Sequence, residues 1–190
     1  MIYRFYIGII LVFFFNDTLM AIETPKYQVI LQENGFELRE YEPMVIALTQ
    51  VESSYREATV TGFRRIANYI FGGNSRDVSI EMTAPVISNT RNSNDAYEIL
   101  FVMPSEYSFN ELPDPNFENI AIKEFNLGKV VVLQFGGWAT KERVIKYKNK
   151  LKDIVTDKGY KTDGNYLVAQ YNSPYALPPF RKNEILVKIK

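Results

Sequence analysis

Residues 55–86 open with YREATVTGFRRIANYIF, continue through Gly72-Gly73-Asn74, and end on IEMTAPV at positions 80–86. In the first part Thr59, Gly62, Ile66 and Ile70 recur at steps of 3, 4 and 4 residues, the spacing of a helix face laid on a sheet. Val60, Phe63, Ala67 and Phe71 repeat those steps on a neighbouring stripe, with Arg64 on its edge. A helix that only covers a sheet needs one apolar stripe. The second must meet another part of the protein, a partner or a ligand, unless the helix is buried on both sides. Gly72 and Gly73 supply the backbone freedom that stops the helix, and Asn74 tolerates it.

Strand patterns flank this helix on both sides. Residues 27–32 (YQVILQ) and 36–41 (FELREY) alternate around Asn34-Gly35, a hairpin turn, and 44–51 (MVIALTQV) follows as a further strand. Downstream, 78–89 and 97–103 read as a strand pair across the polar loop TRNSNDA, and 104–119, with three prolines, reads as a connection. The pattern then begins again. Arg39-Glu40-Tyr41 and Val45-Ile46-Ala47-Leu48 have counterparts in Lys123-Glu124-Phe125 and Val130-Val131-Val132-Leu133. A second helix, 140–158, spaces Val144, Tyr147, Leu151 and Ile154 for one apolar face, and strands at 165–171 and 184–189 follow. Thr83-Ala84-Pro85-Val86 faces Asn172-Ser173-Pro174-Tyr175 in this register, and Tyr97-Glu98-Ile99-Leu100 faces Asn183-Glu184-Ile185-Leu186, at separations of about 84 to 89 residues. This predicts an α+β fold: two β-β-α-β-β halves, about 29–103 and 119–189, forming one curved or closed sheet, a distorted β-barrel, with two flanking helices.

The N-terminus is different in kind. A start with Arg4, an uncharged apolar run over 5–15 and a small residue at Ala21 describe a signal peptide over 1–21, leaving 22–190 as a single domain. The run is too short to span a bilayer, which needs about 20 residues; no stable membrane span is expected after cleavage. An uncleaved anchor is the competing reading, because Leu19 is bulky for its place before the cleavage site. Lys+Arg and Asp+Glu number 22 each, so the excess basic charge of a nucleic-acid binder is missing. The chain has no cysteine and no histidine. Disulfides, thiolate sites and a cysteine nucleophile are thereby excluded, together with the usual general base, zinc ligand and haem ligand.

Four segments in order resemble the SOUL family of haem-binding proteins: TGFRRIANYIFGGN with IEMTAPV in 61–86, FVMPS at 101–105, QFGG at 134–137, and YNSP at 171–174 with RKNEI at 181–185. The resemblance covers roughly 24–189. It implies a distorted barrel of two pseudo-symmetric halves with two flanking helices, and binding of haem or a related tetrapyrrole without established catalysis. It also implies where the ligand lies: an apolar cleft between the outer face of the first helix and the loop between the last two strands. Here those are Val60, Phe63 and Ala67 with Arg64, and the loop YALPPF at 175–180, with Tyr175, Leu177 and Phe180. Arg56, Arg64 or Arg65 would meet the propionates, since an arginine fork matches a carboxylate. Where some members carry an iron-ligating histidine this chain has Glu40, and a cleft arginine of some members matches Val60. Tyrosine or methionine remain as ligand types; Met82, Met103 and Tyr175 lie on matched segments but serve more simply as core or wall. A five-coordinate or unligated haem is the expectation.

Other signals are structural. Glu40, Glu81 and Glu124 read as solvated strand carboxylates without a nucleophile, base and orienter set, so no enzyme is expected. Gly72-Gly73-Asn74 and Gly136-Gly137 lead into no phosphate-loop sequence. The lysines of 141–152 make a solvated face. Phe135 and Trp138 are packing residues at a strand-to-helix corner, and Arg181, Lys182 and Glu184 pin the last loop by charge pairing. Two readings of function follow: a haem or tetrapyrrole carrier or buffer, exported to a bacterial periplasm, or a binding module on the same fold for another apolar small molecule or a protein partner.

Overall fold

The computed structural model describes residues 22–33, 35–90, 96–173 and 176–190. The signal-like segment and Tyr175 lie outside these residues. Nine strands and two helices follow one another as β1 (Tyr27–Glu33), β2 (Phe36–Tyr41), β3 (Met44–Glu52), α1 (Tyr55–Ile70), β4 (Val86–Thr90), β5 (Ala96–Val102), β6 (Ile120–Phe125), β7 (Gly128–Gly136), α2 (Lys141–Asp157), β8 (Thr162–Gln170) and β9 (Lys182–Ile189), with a 3-10 turn at Pro178–Phe180. The strands form a single antiparallel sheet in the order β1-β2-β7-β9-β8-β4-β5-β3-β6. Its ends, β1 and β6, do not pair with each other, so the expected distorted barrel is a curled, open one. From β2 to β6 the order is the same read from either end, once β2 is exchanged for β6, β3 for β7, β4 for β8 and β5 for β9. Each set sends its first strand across: β2 pairs with β7, and β6 with β3.

The core follows from strand alternation. Odd and even residues of β3 and β7 are both buried, so each strand reads as a continuous apolar run (Ile46 to Leu48; Val130 to Leu133). One face, with Ile46, Leu48, Val130, Val132, Leu100 and Leu186, fills the concavity of the sheet. The other face is split. Ala47, Val51, Ile99 and Phe101 pack under α1, whereas Val131, Leu133, Ile185 and Val187 pack under α2.

Both helices begin as their sequences dictate. Ser54 caps α1, its hydroxyl accepting from the Glu57 amide and donating to the Glu57 carboxylate, and Thr140 caps α2 by accepting from the Arg143 amide. Gly72 takes φ 105° just past α1, a conformation glycine adopts at least cost. Gly62 has a different role. A Cβ there would stand 2.3 Å from Ile99 Cγ1, so the missing side chain is what lets α1 approach β5.

One strand is shorter than its sequence suggests. The 78–89 pattern yields β4 only from Val86, because Pro85 has no N–H to give to a ladder. Residues 78–85 instead tie the C-terminal end of α1 to its surroundings: the Ile80 amide donates to Ile70 O at 2.8 Å, and Thr83 Oγ1 donates to Val102 O at 2.6 Å.

Candidate functional site

The two stripes of α1 separate cleanly. Gly62, Ile66 and Ile70 are buried on the sheet, joined by Ala58 and by Tyr69, whose hydroxyl donates to Pro113 O at 2.9 Å. The other stripe is open: Val60 is 48% exposed and Phe71 61%, with Ala67 and Phe63 half-buried between them. Phe63 anchors this surface to the protein. Its ring centroid lies 5.6 Å from that of Phe101 on β5, and it packs against the buried cluster under α1, as Val86 of β4 does. Arg65 turns the opposite way, donating to Gln50 O at 2.8 Å on β3. The second stripe therefore looks out over the β5–β4 side of the sheet. Arg56 and Arg64 stand exposed, with no ion pair among the described residues.

The loop residues lie elsewhere. Leu177 is 64% and Phe180 74% exposed, and the Pro178–Phe180 turn packs on β7. In the sheet β9, β8 and β4 separate β7 from β5, on which α1 sits. The structure thus brings Val60, Phe63, Arg64 and Ala67 onto one surface and carries Phe180 toward β7. Arg181 fixes that turn. Its guanidinium lies 3.7 Å from the centre of the Trp138 ring, and its Nε donates to Ala176 O at 2.9 Å. Phe135 is core, stacked on Tyr147 at 4.5 Å. Trp138, expected to pack, is instead 49% exposed, because its ring lies on the Arg181 guanidinium and not in the core. Glu40, Glu81 and Glu124 are exposed and Met103 is buried, whereas Met82 is 41% exposed.

A cluster that the sequence reading missed lies on the concave face of the sheet. Arg39 on β2, 2% exposed, forms a two-pronged pair with Glu184 on β9, which is fully buried; both contacts are 3.0 Å. Tyr171 Oη donates to the same carboxylate at 2.7 Å, Arg39 also reaches Tyr41 Oη at 3.0 Å and Glu37 at 2.6 Å, and its guanidinium stacks 4.3 Å from the Tyr27 ring centre. Burial alone would pull the Arg39 pKa down, yet the hydrogen bonds and charge of Glu184 carry it upward overall. Burial pushes the Tyr41 hydroxyl up to about 12, and pushes Tyr171 up as well, with the Glu184 charge adding to the effect. The cluster borders an open cleft of about 490 Å³, lined by Phe36, Val132, Gln134 and Pro179 among others. The expectation that Glu184 serves charge pairing is met, but its partner comes from 145 residues away. Lys182 adds a contact to the same carboxylate at 3.3 Å. Neither this cluster nor any other among the described residues supplies three or more acidic, histidine or cysteine groups placed to hold a metal ion.

The chain matches the family model described as SOUL heme-binding protein over residues 22–188. Among curated proteins it is similar to heme-binding protein 2 of Homo sapiens, 31% identical over 87% of this chain and 85% of that one. It is similar also to heme-binding protein 1 of Xenopus laevis, 31% identical over 90% and 94% of the two chains. Among solved structures, the C-terminal domain of EcmrR superimposes with a TM-score of 0.61 at 13% identity, over 86% of this chain and 98% of that one. A protein from Listeria innocua titled a hydrolase does so with 0.59 at 12% identity, over 85% and 94%. At such identities these two likenesses speak for the fold alone. The family model and the relatives say more: the chain belongs to the SOUL family of haem-binding proteins.

Proposed function

We propose that this protein binds haem or a related tetrapyrrole non-covalently against the outer face of α1, as a carrier or buffer and not as an enzyme. The observation that carries the reading is the division of α1: Gly62, Ile66 and Ile70 are buried on the sheet, and a second apolar stripe leaves Val60 and Phe71 exposed with Phe63 and Ala67 half-buried between them. A porphyrin is a flat apolar plate, and covering that stripe would remove its exposed hydrocarbon from water. Arg56 and Arg64 flank the stripe with forks suited to the propionates. Bound haem would bring the ligand-exchange and redox chemistry of its iron. The chain holds neither histidine nor cysteine, which supports an iron that is five-coordinate or free of protein ligands.

The test is a spectroscopic titration of the 22–190 chain with ferric haem beside a Phe63→Asp variant. Saturable binding with a shifted Soret band, weakened at least about tenfold in the variant, is the expected result. Weak, non-saturating uptake shared by both proteins would leave the second reading, another apolar small molecule or a protein partner on the same face. The missing histidine is what favours that alternative. We propose further that 1–21 is a cleaved signal peptide and that the protein works in a bacterial periplasm, supported by the basic, apolar and small-residue order of that segment. The mass of the secreted chain checks this directly: it should begin at Ile22.

A further inference from the structure

The end of the molecule where β7 passes into α2 presents large apolar side chains to solvent at a place apart from the outer stripe of α1. Trp138 is 49% exposed and Phe180 74%. Arg181 stacks on the Trp138 ring and follows Phe180 directly in the chain. The surface is fixed, not loose. Arg143 donates to Gly136 O at 2.7 Å, Asn183 donates to Gly137 O at 2.8 Å, and two prolines set the turn that carries Phe180. Its charge is one-sided. Lys141 and Arg143 are exposed here beside Glu142, whereas Arg181 is buried and Lys182 is paired with Glu184. The molecule as a whole is neutral, so this is a local concentration of positive charge around exposed aromatic rings. Along α2 it continues as a flank of Lys141, Ile145, Lys148 and Lys152. On a helical wheel this flank carries no carboxylate, and its Ile145 is 49% exposed.

We infer that this end of the protein docks on the surface of an anionic lipid bilayer, with Trp138 and Phe180 entering the headgroup layer and Lys141, Arg143, Lys148 and Lys152 meeting the lipid phosphates. The chemistry fits that occupant on both counts. A tryptophan and a phenylalanine at the tip are the side chains that favour the boundary between water and hydrocarbon. A flank of lysines without a carboxylate beside exposed aromatic rings is complementary to an anionic leaflet, whereas a protein partner would call for patterned charge of both signs. No helix among the described residues is long and apolar enough to cross a membrane, so the contact is peripheral and reversible. It does not depend on what α1 binds.

Trp138 is the chain's only tryptophan, which makes it a reporter placed inside the proposed contact. The 22–190 chain, which contains all three core clusters, is mixed without haem with vesicles of phosphatidylcholine alone or of phosphatidylcholine and phosphatidylglycerol, and followed by sedimentation and tryptophan emission. The expected result is saturable binding to the anionic vesicles with a blue shift of the emission, and at least about tenfold weaker binding to neutral ones. Phe180→Ser and a Lys141→Glu, Lys152→Glu double variant should each weaken it by about tenfold, and raised salt should do the same for the wild type. Circular dichroism melts verify that both variants fold; if the double variant does not, Phe180→Ser and the salt series decide alone. Absence of sedimentation, equal binding to both vesicle types, or binding without an emission shift would overturn the proposal. The haem titration of Phe63→Asp reads a different surface, so either result can stand without the other.

Discussion

The two helices occupy equivalent places yet have opposite exteriors. Each follows a strand, caps itself with a hydroxyl, and lies on the outer face of three or four strands. α1 comes close to its sheet through Gly62, where there is no side chain, and turns Val60, Phe63, Ala67 and Phe71 outward. α2 reaches its sheet through the side chains of Leu151 and Val155 and turns mostly lysines outward. The same architecture therefore supports two unlike surfaces. What a helix contributes to holding the sheet is separable from what it offers to a ligand, and in α1 the two jobs fall on adjacent stripes of one element.

The largest effect should come from the seam shared by both halves. Glu184→Ala removes the partner of buried Arg39 and should cost about 3–5 kcal/mol of unfolding free energy in urea titrations. Beneath the helices the contrast sharpens into opposite directions of volume. Leu151→Ala opens a cavity under α2 and should cost about 2–5 kcal/mol. Gly62→Ala instead overfills α1's contact with Ile99 and should cost about 1–3 kcal/mol, whereas an alanine on an exposed helix position would be favourable. If Gly62→Ala is neutral, the close approach of α1 is not what that glycine serves.

Alkaline pH tests the α1 half and the seam together. Burial pushes the hydroxyl of Tyr69 up to about 12, as it does that of Tyr41. In the unfolded chain both ionise near 10. Between about pH 10 and 12 the folded protein therefore holds more protons than the unfolded one. Stability present below pH 10 should fall as pH rises through that window, followed by melting temperature beside the ultraviolet titration of tyrosine. The smallest effects distinguish the two exteriors. Lys152→Ala on α2 and Val60→Ser on α1 should each change stability by less than about 0.5 kcal/mol, but only Val60→Ser should weaken haem binding.

Much of this contrast was legible in the sequence, for a physical reason. Helical periodicity reports which residues share a face, so the two stripes of α1 and the single apolar face of α2 could be read from spacing alone. Alternation and turn residues likewise placed most strands. Pro85 cut β4 short, an effect its missing N–H could have foretold. Pairing across the sheet was not legible. Nothing in FELREY marks Arg39 as buried, and its partner Glu184 lies on a strand adjacent only through β7. Trp138 was misjudged because a large aromatic residue at a corner is usually core; here a guanidinium takes the place of the core.

The crossing of first strands has a consequence for cutting the chain. β2 lies beside β7 and β6 beside β3, so a break in the 104–119 connection would leave each fragment holding an edge that belongs in the other. Neither piece could satisfy its own backbone, and the two together could. Such fragments should be separately unfolded and should reconstitute on mixing, with a dependence on concentration that the intact chain, having joined them covalently, no longer shows.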